Sequence, residues 1–89
     1  MSQSNRQYQA RVSKIVHHGN YAVVYSLEIP NAITFSIKIS DKIWLDENLP
    51  IVGSQVILGD LRKMDGGWRA FAARYYRPED DSKNPATSK

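Results

Sequence analysis

The sequence predicts an all-β domain, a small closed barrel of five strands with one short helix between the third and fourth strands. The chain has 89 residues and no cysteine, which limits it to one domain that is not stabilised by disulfides. Segments of strand length alternate apolar and polar residues, and glycine, asparagine or proline separates them. A domain of this size has a thin core, and closing its sheet into a barrel removes exposed strand edges.

The first three strands are predicted from alternation and turn residues. The first covers about 7–16, and its alternation slips near Lys14, which a β-bulge would explain. The segment His17-His18-Gly19-Asn20 is typical of a tight turn. The second strand covers about 21–29 and the third about 32–39, with the turn residues Pro30 and Asn31 between them.

Alternation also predicts which side chains form the core. The third strand has the clearest pattern, with four inward positions, Ile33, Phe35, Ile37 and Ile39. In the second strand one face carries larger apolar residues than the other, namely Tyr21, Val23, Tyr25, Leu27 and Ile29 against Ala22, Val24, Ser26 and Glu28. We therefore predict core positions for three aromatic rings, Tyr21, Tyr25 and Phe35.

The second half of the chain is predicted to contain the helix and a β-hairpin. Ser40 or Asp41 is a suitable N-cap. An apolar stripe follows, formed by Ile43, Trp44, Leu45 and Leu49, until Pro50 ends the helix. Strand four is predicted at about 54–62 and strand five at about 67–77, joined by the turn Asp65-Gly66-Gly67. Residues 1–6 and 78–89 lack large apolar side chains apart from Met1, so we expect both tails to be disordered.

This order of elements resembles that of the OB-fold, a five-stranded Greek-key barrel with a helix between its third and fourth strands. The resemblance covers about residues 7–77 and includes the early glycine turn and the Gly53-x-x-Val56 entry to strand four. It implies a nucleic-acid-binding domain whose ligand lies across strands two and three, between the loops at 17–20 and 63–67. The ending Arg77-Pro78-Glu79-Asp80 also resembles a stretch of TOBE domains, small ligand-binding modules of transporter ATPases. A five-stranded meander barrel is the alternative topology.

Strand five carries the main indication of function. It interleaves three arginines with four aromatic rings and contains no acid, within a chain of net charge +3. A guanidinium binds phosphate and an aromatic ring stacks on a base. The sequence therefore predicts a domain that binds single-stranded DNA or RNA with little sequence specificity. The candidate contact residues are Arg11, Lys14, His17, His18, Lys38, Arg62, Lys63, Trp68, Arg69 and Arg74.

Two questions about the aromatic residues stay open from the sequence. Trp68 is either a stacking platform or a lid on the core. The two faces of strand five are equally suited to the interior, because Ala70 and Ala72 fit a crowded barrel while Phe71 on the opposite face also fits a core. We assign Phe71 to the core.

Catalysis and metal binding are not indicated. The chain has no cysteine nucleophile and no Gly-x-Ser-x-Gly motif. His17 and His18 are adjacent, so they are poorly placed to chelate one metal. We therefore expect no enzyme activity, no catalytic residue, no metal and no cofactor.

A protein–protein interaction module or accessory subunit of a larger complex is the main alternative function, and it predicts an exposed apolar patch around Trp44, Leu49 and Ile51. Binding of a small ligand, as in TOBE domains, is a weaker alternative. No apolar run is long enough to span a membrane, and residues 1–6 lack the apolar region of a secretory signal. We expect a cytoplasmic protein without a membrane partner, and the sequence leaves its oligomeric state open.

Overall fold

The computed structural model describes residues 7–81, and both ends of the chain, 1–6 and 82–89, lie outside the described residues. The structure contains five strands, β1 Tyr8–Val16, β2 Tyr21–Ser26, β3 Ile33–Ser36, β4 Gln55–Met64 and β5 Gly67–Tyr75. A single 3-10 turn, Ile39–Asp41, lies between β3 and β4, and a helical turn, α1 Pro78–Asp81, follows β5.

The strands form a closed barrel in the order β1-β2-β3-β5-β4. β1 closes the barrel by antiparallel pairing with β4, from Tyr8 opposite Leu58 to Arg11 opposite Gln55. β3 and β5 are parallel neighbours, and the remaining pairs are antiparallel. The predicted all-β class and five-stranded closed barrel are confirmed.

The bulge predicted in the first strand is present. The register of β1 against β2 shifts between Val12 and Lys14. At the same point, Val12 exchanges backbone hydrogen bonds of 2.9 Å with Ser54 and Gly53, the residues that lead into β4. The bulge therefore bends β1 so that it pairs with β2 over one half and with β4 over the other.

The core contains both predicted and unpredicted side chains. Ile33, Phe35 and Ile37 are buried as predicted, whereas Ile39 is exposed because β3 ends before it. In β2 the buried residues that face the core are Ala22 and Val24.

The prediction that Tyr21 and Tyr25 belong to the core is wrong. Tyr25 is half exposed, and Tyr21 lies on the same outer face of β2. Both faces of β2 are apolar, so alternation alone could not distinguish them. The interior of a five-stranded barrel has room for the smaller Ala22 and Val24, and the tyrosines take the outside.

Strand β5 presents different faces to the core along its length. In the half of the hairpin near its turn, Leu61 and Ala70 point inward, whereas in the other half Leu58 and Ala73 do so. The change occurs beside Asp60, which has a φ of 49°. This backbone twist reverses the inward face, so neither face predicted for strand five is inward throughout.

Phe71 lies at this change of face and is only partly buried, outside the core cluster. Its assignment to the core is therefore wrong.

The predicted helical stripe after β3 is not helical. The helical turn is shorter and earlier, at Ile39–Asp41. The backbone of Ile43 accepts a hydrogen bond from Ala73, whose carbonyl in turn accepts one from Leu45, at 3.0 and 2.8 Å. Pairing with β5 thus replaces helical hydrogen bonds, and it lays the Trp44 ring in a stacked arrangement on Phe35 at 5.8 Å.

The start of the predicted disordered tail is ordered. Pro78–Asp81 form α1, and Asp80 accepts hydrogen bonds from the backbone N–H of Arg77 and from the guanidinium of Arg74. This carboxylate holds the turn against β5 through specific side-chain hydrogen bonds, which composition does not reveal. The prediction for the remainder of the tail concerns residues outside the described range. No helix in residues 7–81 has the length and apolarity needed to cross a membrane.

Candidate nucleic-acid interface

The centre of the candidate site is the ring of Tyr21, on the outer face of β2. Three basic side chains surround it. The Lys38 ammonium and the Arg69 guanidinium each lie 5.7 Å from its centroid. The His17 imidazole meets the ring edge to face at 5.6 Å. A partly exposed aromatic ring among cations is suited to stacking a base whose phosphates lie nearby.

Strand pairing explains how residues distant in sequence meet here. Lys14 lies opposite Val23, Val23 opposite Thr34, Thr34 opposite Arg69, and Arg69 opposite Arg62. Residues directly opposite each other in neighbouring strands point to the same side of the sheet. These five residues therefore form a row around the outside of the barrel, which we call the basic row, and its cations are Lys14, Arg69 and Arg62.

Arg69 is the cation of this row best able to bind an anion. Among residues 7–81 its side chain has neither an ion pair nor a hydrogen bond, and its guanidinium lies over the Tyr21 ring. Arg62 differs, because it donates two hydrogen bonds of 3.0 Å to Asp60. Both partners of that exposed pair are well solvated, so a phosphate can compete with the carboxylate.

A shallow cleft of about 350 Å³ adjoins Tyr21. It is lined by Tyr21, Ser36, Asp41, Ile43, Arg69 and Phe71. The Phe71 ring, which also lines the cleft, has the Arg62 guanidinium over its face, 4.6 Å from its centroid. The cleft therefore combines two aromatic rings with the unpaired Arg69.

A second aromatic and cationic pair lies further along β2. Arg11 is directly opposite Tyr25, and both are exposed. Tyr25 is four residues from Tyr21 on the same face of β2, which corresponds to about 13 Å along a strand. Arg11 and Tyr25 also line a separate cleft of about 460 Å³, together with the fully exposed Leu27.

Trp68 is placed as a lid on the core. It pairs with the buried Ile33 and packs against the core cluster. The Lys63 ammonium lies over its ring, 5.6 Å from the centroid. Trp68 and Lys63 therefore cover the barrel end near the hairpin turn and do not line the Tyr21 cleft.

Arg74 has a structural role. Its guanidinium donates hydrogen bonds of 2.7 and 3.0 Å to Asp80, and its side chain is largely buried. The hydrogen bond to the Asp80 carboxylate raises the pKa of Arg74 above its ordinary value. Arg74 is therefore committed to α1 and is not part of the cluster around Tyr21.

The structure thus brings together part of the predicted set. His17, Lys38, Arg62 and Arg69 lie around the Tyr21 cleft, and Lys14 continues the basic row. Four predicted residues lie away from this cleft. Arg11 is beside Tyr25, Lys63 and Trp68 are at the barrel end, and Arg74 pairs with Asp80. His18 is exposed in the turn after β1, where its φ is 60°.

The two rings of the cleft, Tyr21 and Phe71, were assigned to the core from the sequence and were therefore absent from the predicted site. One signal was available for Tyr21, because the opposite face of β2 carries Ala22 and Val24, whose size suits a narrow barrel. No comparable signal existed for Phe71, whose orientation depends on the twist at Asp60. Within residues 7–81 no three His, Asp or Glu side chains are grouped so that they could hold a metal ion.

The strand order, the barrel closure between β1 and β4, and the helical turn between β3 and β4 define an OB-fold. No family model and no curated protein matches the sequence. Among solved structures, the chain is similar to the cold-shock domain segment CSD456 of Drosophila Unr, with a TM-score of 0.63 and 12% identity. The match covers 83% of this chain and 28% of that one. At this identity the similarity concerns the fold.

Proposed function

We propose that this OB-fold domain binds single-stranded DNA or RNA across the outer surface of β2, β3 and β5. The observation that carries the proposal is the Tyr21 ring, partly exposed and surrounded by Lys38, Arg69 and His17. Base stacking on an aromatic side chain contributes about 1–3 kcal/mol per base. Phosphates next to a stacked base would meet the basic row.

Single strands are favoured over duplexes for a physical reason. The bases of a single strand are free to leave their own stack and lie on Tyr21 or in the cleft beside Phe71. A duplex offers only its phosphates, and the basic row is too short to bind these tightly. Stacking and phosphate contacts tolerate most sequences, so the interface as a whole is proposed to have little sequence preference.

The proposed role is binding rather than catalysis, because the exposed groups of the site are mainly rings and cations. Its one serine beside a carboxylate, Ser36 next to Asp41, is almost fully buried and therefore poorly accessible to a substrate. The cytoplasm is the proposed compartment, as the sequence suggests.

The test is a titration of the purified protein with single-stranded DNA, single-stranded RNA and duplex DNA, followed by backbone-amide chemical shifts. We expect single strands to shift the amides of β2, β3 and the first half of β5, around Tyr21, Thr34 and Arg69, with weaker effects from the duplex. The absence of shifts with any of the three ligands at low salt would exclude the proposal.

A second candidate function is recognition of a protein partner. The loop between β3 and β4 exposes apolar side chains, each at least half accessible, at Leu45, Leu49, Ile51 and Val52. Trp44, which was predicted to belong to this patch, is instead partly buried against Phe35. Monomeric proteins rarely expose large contiguous apolar patches, which favours an interface for this loop.

This candidate predicts that the protein, purified from its native host, co-elutes with a partner, and that Leu49→Ser together with Ile51→Ser abolishes co-elution. Unchanged single-strand binding by the double variant would show that the two surfaces act separately.

A further inference from the structure

The cleft beside Tyr21 contains one feature that a phosphate-binding surface does not require, the carboxylate of Asp41. A negative charge beside Lys38 and Arg69 weakens the attraction of this surface for phosphate. Its position next to two aromatic rings suits a different task, because a stacked base presents its edge in the plane of the stack.

The orientation of the Asp41 carboxylate is held by two neighbours. The Ser36 hydroxyl donates a hydrogen bond to Oδ2, and the Lys38 ammonium lies 3.8 Å from the same oxygen. Ser36 is itself almost fully buried and accepts a hydrogen bond from the backbone N–H of Lys38. Both interactions involve Oδ2, so they fix the orientation of the carboxylate through this one oxygen.

The other oxygen of Asp41 remains available. No hydrogen bond to Oδ1 occurs among residues 7–81, and about a third of the side chain is exposed. A carboxylate oxygen accepts two hydrogen bonds. Asp41 thus lines the same cleft as Tyr21 and Phe71, and its Oδ1 accepts no hydrogen bond from residues 7–81.

We propose that this cleft holds one base of the bound strand and that Asp41 selects guanine. This inference rests on the proposed single-strand binding. Guanine presents two adjacent donors, N1–H and the N2 amino group, to a carboxylate. Adenine and cytosine each offer one amino group beside an acceptor nitrogen. Uracil and thymine offer N3–H between two carbonyl oxygens, which the carboxylate repels.

The expected order of preference is guanine first, adenine and cytosine next, and uracil and thymine last. A well-formed pair of hydrogen bonds to a base corresponds to a discrimination of about tenfold or more. The remaining contacts of the strand are insensitive to sequence, so the preference concerns a single position.

The test uses heptamers of oligothymidine in which the central base is thymine, cytosine, adenine, guanine or hypoxanthine, with affinities measured by fluorescence anisotropy. Guanine is expected to bind about tenfold more tightly than thymine. Hypoxanthine, which keeps N1–H and lacks the N2 amino group, is expected to lie between them.

Asp41→Asn separates base recognition from charge. The variant is expected to bind all heptamers somewhat more tightly, because a negative charge is lost, and to reduce the ratio of guanine to thymine affinity to about twofold or less. Glu47→Gln removes the same charge from an exposed loop position outside the cleft and should leave the wild-type ratio unchanged.

Three results would overturn the inference. Equal affinity of the wild-type protein for all heptamers would remove base selection and leave single-strand binding intact. A ratio unaffected by Asp41→Asn, in a variant that melts cooperatively, would assign the preference to another residue. Failure of every heptamer to bind at low salt would exclude the proposed function as well.

Discussion

Tyr21 is the residue on which the proposed interface depends most. Its ring makes an edge-to-face contact with His17 and has the charged groups of Lys38 and Arg69 over it. These contacts orient the ring without burying it, so a base could stack with little cost in side-chain entropy.

Tyr21→Leu is expected to weaken single-strand binding about tenfold, since loss of one stacked base costs about 1–3 kcal/mol. Tyr21→Phe keeps the ring and serves as the control, with affinity close to wild type. Anisotropy titration measures both. Equal losses in the two variants would point to the hydroxyl group instead of stacking.

Arg69 is expected to contribute one phosphate contact. Arg69→Gln should reduce the slope of log K against log salt by about 0.7, the value per neutralised phosphate of a single strand. Arg77→Gln removes an equal charge from the segment after β5, where Arg77 pairs with Asp46, and should not alter the slope. A slope unchanged by Arg69→Gln would remove Arg69 from the interface.

At the scale of single elements, the entry to β4 depends on a glycine. Gly53 has a φ of 93°, and no atom lies within 4 Å of the position that a Cβ would occupy. A substitution there is therefore limited by backbone conformation, not by space.

Gly53→Ala is expected to lower the free energy of unfolding by at least about 1–2 kcal/mol, because residues other than glycine are strained at this φ. Gly66→Ala is the matched control, since Gly66 has equal space and no positive φ. It should change stability by about 0.5 kcal/mol or less, or stabilise slightly. Urea denaturation distinguishes the two; similar losses would contradict the explanation.

Helical turn α1 is attached to β5 by the ion pair of Arg74 and Asp80, whose side chains are only 18% and 9% exposed. Asp80→Asn should destabilise the domain by about 1–3 kcal/mol, because the largely buried guanidinium loses its charged partner. Asp60→Asn disrupts the exposed pair with Arg62 and should cost about 1 kcal/mol or less. Thermal unfolding of both variants provides the comparison, and equal costs would show that burial of the Arg74 pair is not important.

At the scale of the whole molecule, barrel closure brings together cations from four separate segments. Lys14, Lys38, Arg62 and Arg69 are spread over the sequence, yet strand pairing places them on one outer surface around Tyr21. A surface assembled in this way is typical of binding through the phosphate backbone.

The domain is therefore expected to show a salt dependence that reflects its whole surface. Contacts from these four cations predict a slope of log K against log salt of about −3 for single strands. Affinities measured between low and moderate salt with a long homopolymer determine the slope. A slope near zero would show that binding, if present, does not involve phosphates.

Much of the architecture was predictable because it depends on local chemistry. The turn at His17-His18-Gly19-Asn20, the bulge near Lys14 and the inward face of β3 follow from turn residues and from alternation. The order of the elements then predicted the OB-fold, which the barrel confirms.

The site was predictable only in part. The cations of the site were identified by residue type alone. Arg74 was included on the same basis, although its guanidinium is hydrogen-bonded to Asp80 and does not reach the site. Its aromatic rings were misassigned, because Tyr21 and Phe71 were placed in the core on the strength of their size.

The sequence by itself determined the number of strands, their turns and the positive charge available for a ligand, since these depend on each residue and its neighbours along the chain. Only the tertiary structure decided which face of β2 is outside and where β5 exchanges its faces. The narrow barrel interior accepts Ala22 and Val24 in preference to tyrosines, and the twist at Asp60 turns Phe71 outward. Both outcomes depend on how the strands pack against other strands of the barrel, which a local sequence pattern does not indicate.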